Sequence, residues 1–200
     1  MFELFLRKKS MQEFVNEEIN TKKILLNLAI ALLAMPILST ILSIANLIIN
    51  NSQNYLVLVF FFPQTGFLLL YSTFFIFLIL VVLGLGILFQ YAGAKMFKGK
   101  KKLSEFALKQ ICIISPFILI FNIVNAFILG GLTLQLYHDI FLFGIIIDIL
   151  IFIYAVIQNI SLVKEFWEFS TIKSSSVVVT SILLMFPAVL LLFLILILPT

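Results

Sequence analysis

The chain reads as an all-α polytopic membrane protein: a bundle of five transmembrane helices preceded by a short interfacial amphipathic helix. Two observations lead there. The first is composition: of 200 residues, 63% are hydrophobic and 11% charged, and the mean hydropathy is +1.24. A water-soluble domain with so little polar surface could not cover its core. The second is the alternation of apolar and basic segments. Five apolar stretches, 24–49, 66–90, 111–132, 140–162 and 177–198, each exceed or match the roughly 20 helical residues that a hydrocarbon core demands. All 13 basic residues fall on alternate sides of these stretches. Arg7, Lys8, Lys9, Lys22 and Lys23 precede the first; Lys95, Lys98, Lys100, Lys101, Lys102 and Lys109 lie between the second and third; Lys164 and Lys173 lie between the fourth and fifth. The other connections, 50–65 and 133–139, and Pro199-Thr200 carry none. The positive-inside rule then expects the N-terminus in the cytoplasm and the C-terminus outside.

Segment by segment, the tail 1–23 carries apolar residues at Phe2, Phe5, Leu6, Met11, Phe14, Val15 and Ile19 among Arg7, Lys8, Lys9, Glu13, Glu17 and Glu18. That spacing predicts a helix lying in the cytoplasmic interface with its apolar face in lipid, although a partner-binding helix has the same pattern. The first apolar stretch follows this charged tail and has no short h-region with a small-residue cleavage site, so it reads as a retained helix and not a signal peptide. The second region is preceded by apolar 55–62, which Pro63-Gln64-Thr65-Gly66 interrupts. Eight helical residues reach only about 12 Å, and a sixth crossing would put the lysine loop opposite the basic tail. Residues 55–62 therefore either dip into the outer interface or extend the second helix beyond a kink. The remainder, 24–200, forms one membrane domain.

Pro36, Pro116 and Pro187 fall inside the first, third and fifth stretches, where each removes a backbone hydrogen bond and favours a kink that neighbouring helices or hydroxyls must accommodate. Ala29, Ala31, Ala34, Gly84, Gly86, Gly130 and Gly131 allow close helix approach. Tyr91 and Trp167 are expected in an aromatic belt at the cytoplasmic boundary, and Tyr55 and Tyr137 at the outer one. The single Cys112 excludes an intramolecular disulfide and a cysteine-based metal site.

The candidate chemistry is sparse. Asp148 is the one acidic residue inside an apolar stretch, about 13 Å from the outer surface by helical rise. An ionised carboxylate there is costly unless it is paired or protonated. Asn122 and Asn125, three residues apart in the preceding stretch, lie at a comparable depth, and the three side chains could act as a proton or cation relay. The competing reading is an interhelical clamp worth about 0.6–2 kcal/mol, which the absence of a second carboxylate or a membrane Lys or Arg favours. His138 and Asp139 supply too few ligands for zinc, and Asp139 suits a helix N-terminus. Glu17, Glu18, Glu165 and Glu168 sit among lysines as surface charge. No nucleophile triad or phosphate-cradling glycine loop is present, so neither an enzyme nor a cofactor is expected. Lys95, Lys98, Lys100, Lys101 and Lys102 form a candidate contact for anionic lipid headgroups, at about 1 kcal/mol per lysine, or for a protein partner. Nucleic acid is not an expected partner, because the loops lack the Arg and aromatics it would call for.

Residues 90–131, QYAGAKMFKGKKKLSEFALKQICIISPFILIFNIVNAFILGG, resemble the central part of the Yip family of membrane proteins, the Ypt/Rab-GTPase-interacting type. Tyr91, Gly99, Ser104, Phe106 and Pro116 match in order that family's loop and the early proline of its third helix. The opening LFLRKKSMQEFVNEE is similar to prokaryotic members, with Lys9 where proline is usual. The resemblance implies five helices, a cytoplasmic N-terminus and a membrane organiser or adaptor. Eukaryotic members work in vesicle traffic between endoplasmic reticulum and Golgi through Rab-type GTPases. This chain has neither their long cytosolic N-terminal region nor an Asp-Leu-Tyr-Gly-Pro motif, so the expectation is a short prokaryotic-like member. A small transporter or permease subunit using Asp148, Asn122 and Asn125 is the alternative.

Overall fold

The computed structural model describes residues 11–18, 20–50, 56–132 and 137–197, with side chains at 11–18, 20–42, 73–127 and 142–191. Six helices are present among the described residues, and no strand: α1 Met11–Asn16, α2 Thr21–Asn50, α3 Leu56–Met96, α4 Leu103–Leu132, α5 Tyr137–Trp167 and α6 Thr171–Ile197. The last five are long and apolar enough to cross a membrane. Their outward residues, among them Leu26, Ile37, Phe77, Phe152, Ile153, Leu183 and Phe186, are large and apolar, as lipid contact requires.

The helices extend well past the apolar stretches. α4 begins at Leu103, eight positions before Ile111, because its first turns are amphipathic: Phe106, Lys109, Gln110, Ile113 and Phe117 are buried at the spacing of one helix face. Hydropathy alone places a boundary at the first charge; packing does not. α3 has 41 residues, which at 1.5 Å each is about twice the thickness of a hydrocarbon core. Residues 56–62, left between a re-entrant turn and a helical extension, are continuous with α3 in the backbone.

The three helix-breaking candidates are also absorbed. α2 continues through Pro36, α4 through Pro116 and α6 through Pro187. Around Pro36 the hydroxyls of Ser39 and Thr40 donate to the carbonyl of Pro36 itself, at 3.2 and 2.7 Å.

Two compact units divide the chain: Met1–Ile24, Leu78–Ile113 and Ala155–Thr200 form one, and Leu25–Phe77 with Ile114–Tyr154 form the other. In the first, α6 lies against a stripe of α3. A Cβ on Gly86 would stand 3.2 Å from Met185 Sδ, and one on Gly93 3.5 Å from Val177. Gly86 was expected to serve close approach and does; Gly84 has open space around it, and Gly93 takes its place in the stripe. In the second unit, buried Ala31 is the close-approach residue of α2. Gly130 and Gly131 lie outside the described side chains, as do Tyr55, Tyr137, His138 and Asp139; in the backbone, Asp139 falls in the first turn of α5.

The N-terminal helix departs from the lipid-lying expectation. Among the described residues of the tail, α1 covers Met11–Asn16, and Phe14, which the sequence puts on the lipid face, is 4% exposed and packed on the chain. Phe2, Phe5, Leu6 and Ile19 lie outside the described residues.

Candidate functional site: two polar clusters and a lysine-bearing end

Within the second unit, α4 and α5 bring Asn125 and Asp148 together: Asn125 Nδ2 donates to Asp148 Oδ2 at 3.1 Å and to the Phe121 carbonyl at 2.9 Å. Asn122 does not join them. Its Nδ2 donates to the Ala31 carbonyl of α2 at 2.7 Å, and the side chain is 1% exposed. The expected group of three is thus a pair and a separate clamp. At 3.6 residues per turn, positions three apart diverge by about 60°, enough to aim two short amides at different neighbours. Asp148 Oδ1 and Asn122 Oδ1 are buried and have no partner among the described residues.

A second polar cluster, which the sequence reading missed, lies in the first unit. Gln110 Nε2 of α4 donates to Gln90 Oε1 of α3 at 3.0 Å and to Asn159 Oδ1 of α5 at 3.4 Å. All three side chains are buried, and Gln110 Oε1 has no partner among the described residues. Gln90 and Gln110 stand at the ends of apolar stretches, where a polar residue reads as an interfacial boundary. The signal that could have found them is helical phase: Gln90 lies on the same face as Ile87 and Ala94, and Gln110 on that of Phe106 and Ile113, all buried.

The lysine-bearing end of that unit is built on two helix C-termini of one design. After α3, Gly99 N–H donates to the Ala94 carbonyl and Lys98 N–H to the Lys95 carbonyl, both at 2.9 Å, with Lys98 left-handed at φ 65°. This is a Schellman cap. After α5, Phe169 N–H donates to the Lys164 carbonyl at 3.0 Å, with Glu168 at φ 56°. Gly99 is required by close approach rather than by its own φ, since a Cβ would stand 2.5 Å from the Trp167 ring and 2.9 Å from the Ala94 carbonyl.

Trp167 is therefore buried and not part of an exposed belt. Its ring lies 5.9 Å from Tyr91, 5.7 Å from Phe106, 5.2 Å from Phe166 and 6.3 Å from Phe169. Of the candidate contact lysines, Lys95 sits over Tyr91, 5.3 Å from the ring centroid. Lys101 sits 5.0 Å over Phe166 and 3.8 Å from Glu168. Lys98, Lys100 and Lys102 are exposed, with no acceptor among the described residues. Met96 and Ile172 are 85% and 80% exposed, and Phe97, whose ring lies 6.1 Å from that of Phe169, is also exposed. Lys109, grouped with these lysines by sequence, is buried elsewhere: its ammonium donates to the carbonyls of Phe14 and Glu17.

No family model matches this chain, and no curated protein and no solved structure is significantly similar to it.

Proposed function

We propose that the chain is a non-enzymatic, Yip-like multi-pass membrane protein that organises the membrane or serves as an adaptor for other membrane or trafficking proteins. In this reading the N-terminus and the lysine loops face the cytoplasm of a prokaryotic cell and the C-terminus faces outside. The observation that carries the reading is the mixed surface at the lysine-bearing end. Met96 and Phe97 are exposed next in the chain to exposed Lys98, Lys100 and Lys102, and Ile172 is exposed in the first turn of α6, on a base held by two helix caps and packed aromatics. Exposed apolar side chains together with exposed lysines suit anionic headgroups over acyl chains, or the acidic rim of a membrane partner. The partners are accordingly the bilayer, a second membrane protein or a second copy of this chain, without a cofactor.

Photo-crosslinking from positions 96 and 172 in native membranes, followed by mass spectrometry, tests it. A specific protein captured by the parent chain and lost when Lys98, Lys100, Lys101 and Lys102 are changed to Gln supports the adaptor. Capture of lipid and the chain itself, unchanged in that variant, overturns protein docking at this surface.

A second reading, a small transporter or permease subunit, draws on the buried oxygens of Asp148 and Asn122 that have no partner among the described residues. Asp148→Asn separates the two: a transporter loses activity outright, whereas a scaffold keeps its partner capture and shows a modest packing loss of about 1 kcal/mol.

A further inference from the structure

We infer that residues 11–17 form a releasable strap over the start of α4, held closed by Lys109, and that its opening uncovers the turn of α4 that carries Cys112. The interaction is inside one compact unit. Lys109 Nζ donates to the Phe14 carbonyl at 2.7 Å and to the Glu17 carbonyl at 2.6 Å, and stands 4.8 Å from the centre of the Phe14 ring. Lys109 and Phe14 are 5% and 4% exposed.

The closed arrangement serves both partners. α1 has six residues, less than half the roughly 12–15 at which an isolated helix becomes even marginal in water. At its C-terminal end the Phe14 carbonyl, which also accepts the Glu17 N–H at 3.3 Å, and the Glu17 carbonyl just beyond it are met by an ammonium at the negative end of the helix dipole. Lys109, in turn, lies six residues into α4, about 9 Å along its axis. With the strap removed, the ammonium loses its two carbonyl acceptors and the Phe14 ring and must be met by water or headgroups instead. Helix and lysine therefore order together and release together, which makes the strap a two-state element and not a fixed wall. The amphipathic pattern that suggests lipid binding supplies the open state: Met11, Phe14 and Val15 can lie on the bilayer instead.

Cys112 reports the position of the strap. It is the chain's single cysteine, lies one turn beyond Lys109 on α4, and is partly exposed.

The test uses the full chain in nanodiscs, where both faces are open to reagent, and measures the rate at which a water-soluble maleimide labels Cys112. Lys109→Met, which keeps the aliphatic stem but removes the ammonium, and Phe14→Ala, which alters only the strap, should each raise the rate about tenfold or more. A short bismaleimide should also join Glu17→Cys to Cys112 with Lys109 present and fail to do so with Lys109→Met. Monodisperse elution and helical circular dichroism identify folded variants; if Lys109→Met does not fold, Phe14→Ala and the crosslink in the Lys109 background decide. Equal labelling of parent and Phe14→Ala, or no crosslink in the Lys109 background, overturns the strap.

Discussion

At Gly99 and Lys98 the usual assignment of glycine to the left-handed position of a helix cap is inverted. Lys98 takes the positive φ at a cost of about 1 kcal/mol, and Gly99 occupies the next position because the Trp167 ring leaves no room for a Cβ. The two positions therefore respond in opposite directions. Gly99→Ala should lower stability by about 1–3 kcal/mol through overpacking, read as a lower midpoint in detergent thermal unfolding, and Trp167→Leu in the same chain should recover part of the loss. Lys98→Gly should raise the midpoint by the equivalent of about 0.5–1 kcal/mol. An unchanged midpoint for Gly99→Ala would mean that the Trp167 ring moves freely. A search for glycine at the turn locates the loop correctly but misassigns which residue carries the strain, since the ring that decides it is 68 positions away in sequence.

Among the elements, α4 is the one that gathers chemistry. An 18-residue apolar window within it is 44% buried, against 6% in α5, and it carries Lys109, Gln110, Asn122 and Asn125. The carboxamides of Gln90, Gln110 and Asn159 should behave as a unit. Gln110→Leu removes the donor and leaves two acceptors facing an apolar side chain, which should cost about 1–3 kcal/mol. Replacing all three by Leu removes the unmet acceptors as well, and should bring stability back to within about 1 kcal/mol of the parent. Unfolding in detergent measures both; a triple variant less stable than the single one would show that the layer contributes more than its hydrogen bonds. The pairing of Asn125 with Asp148 was accessible from depth along two consecutive antiparallel stretches. The diversion of Asn122 to Ala31 was not, because the acceptor is a backbone carbonyl and carries no residue-type signal.

For the whole molecule, charge placement and helix count make one joint prediction. In intact cells a tag at the N-terminus should be shielded from external protease and a tag at the C-terminus cleaved, as five crossings with all lysines inside require. The reverse pattern, or both tags on one side, would refute the orientation. The five apolar helices were legible in the amino-acid pattern because a span must be long and uniformly apolar wherever its neighbours lie, so hydropathy alone carries that information. So was the lone intramembrane carboxylate, since a charge in hydrocarbon is conspicuous by type. What hydropathy could not assign were the true helix ends at Leu103 and Trp167, the burial of Trp167 and Lys109, and the fate of the tail. Each turns on which face of a mixed-polarity turn meets another helix, and that is a property of packing. Lys109 is the plainest case: beside a loop of lysines it has the same local pattern as surface charge, and only the arrival of the Phe14 and Glu17 carbonyls, more than 90 residues earlier in the chain, makes a buried ammonium stable there.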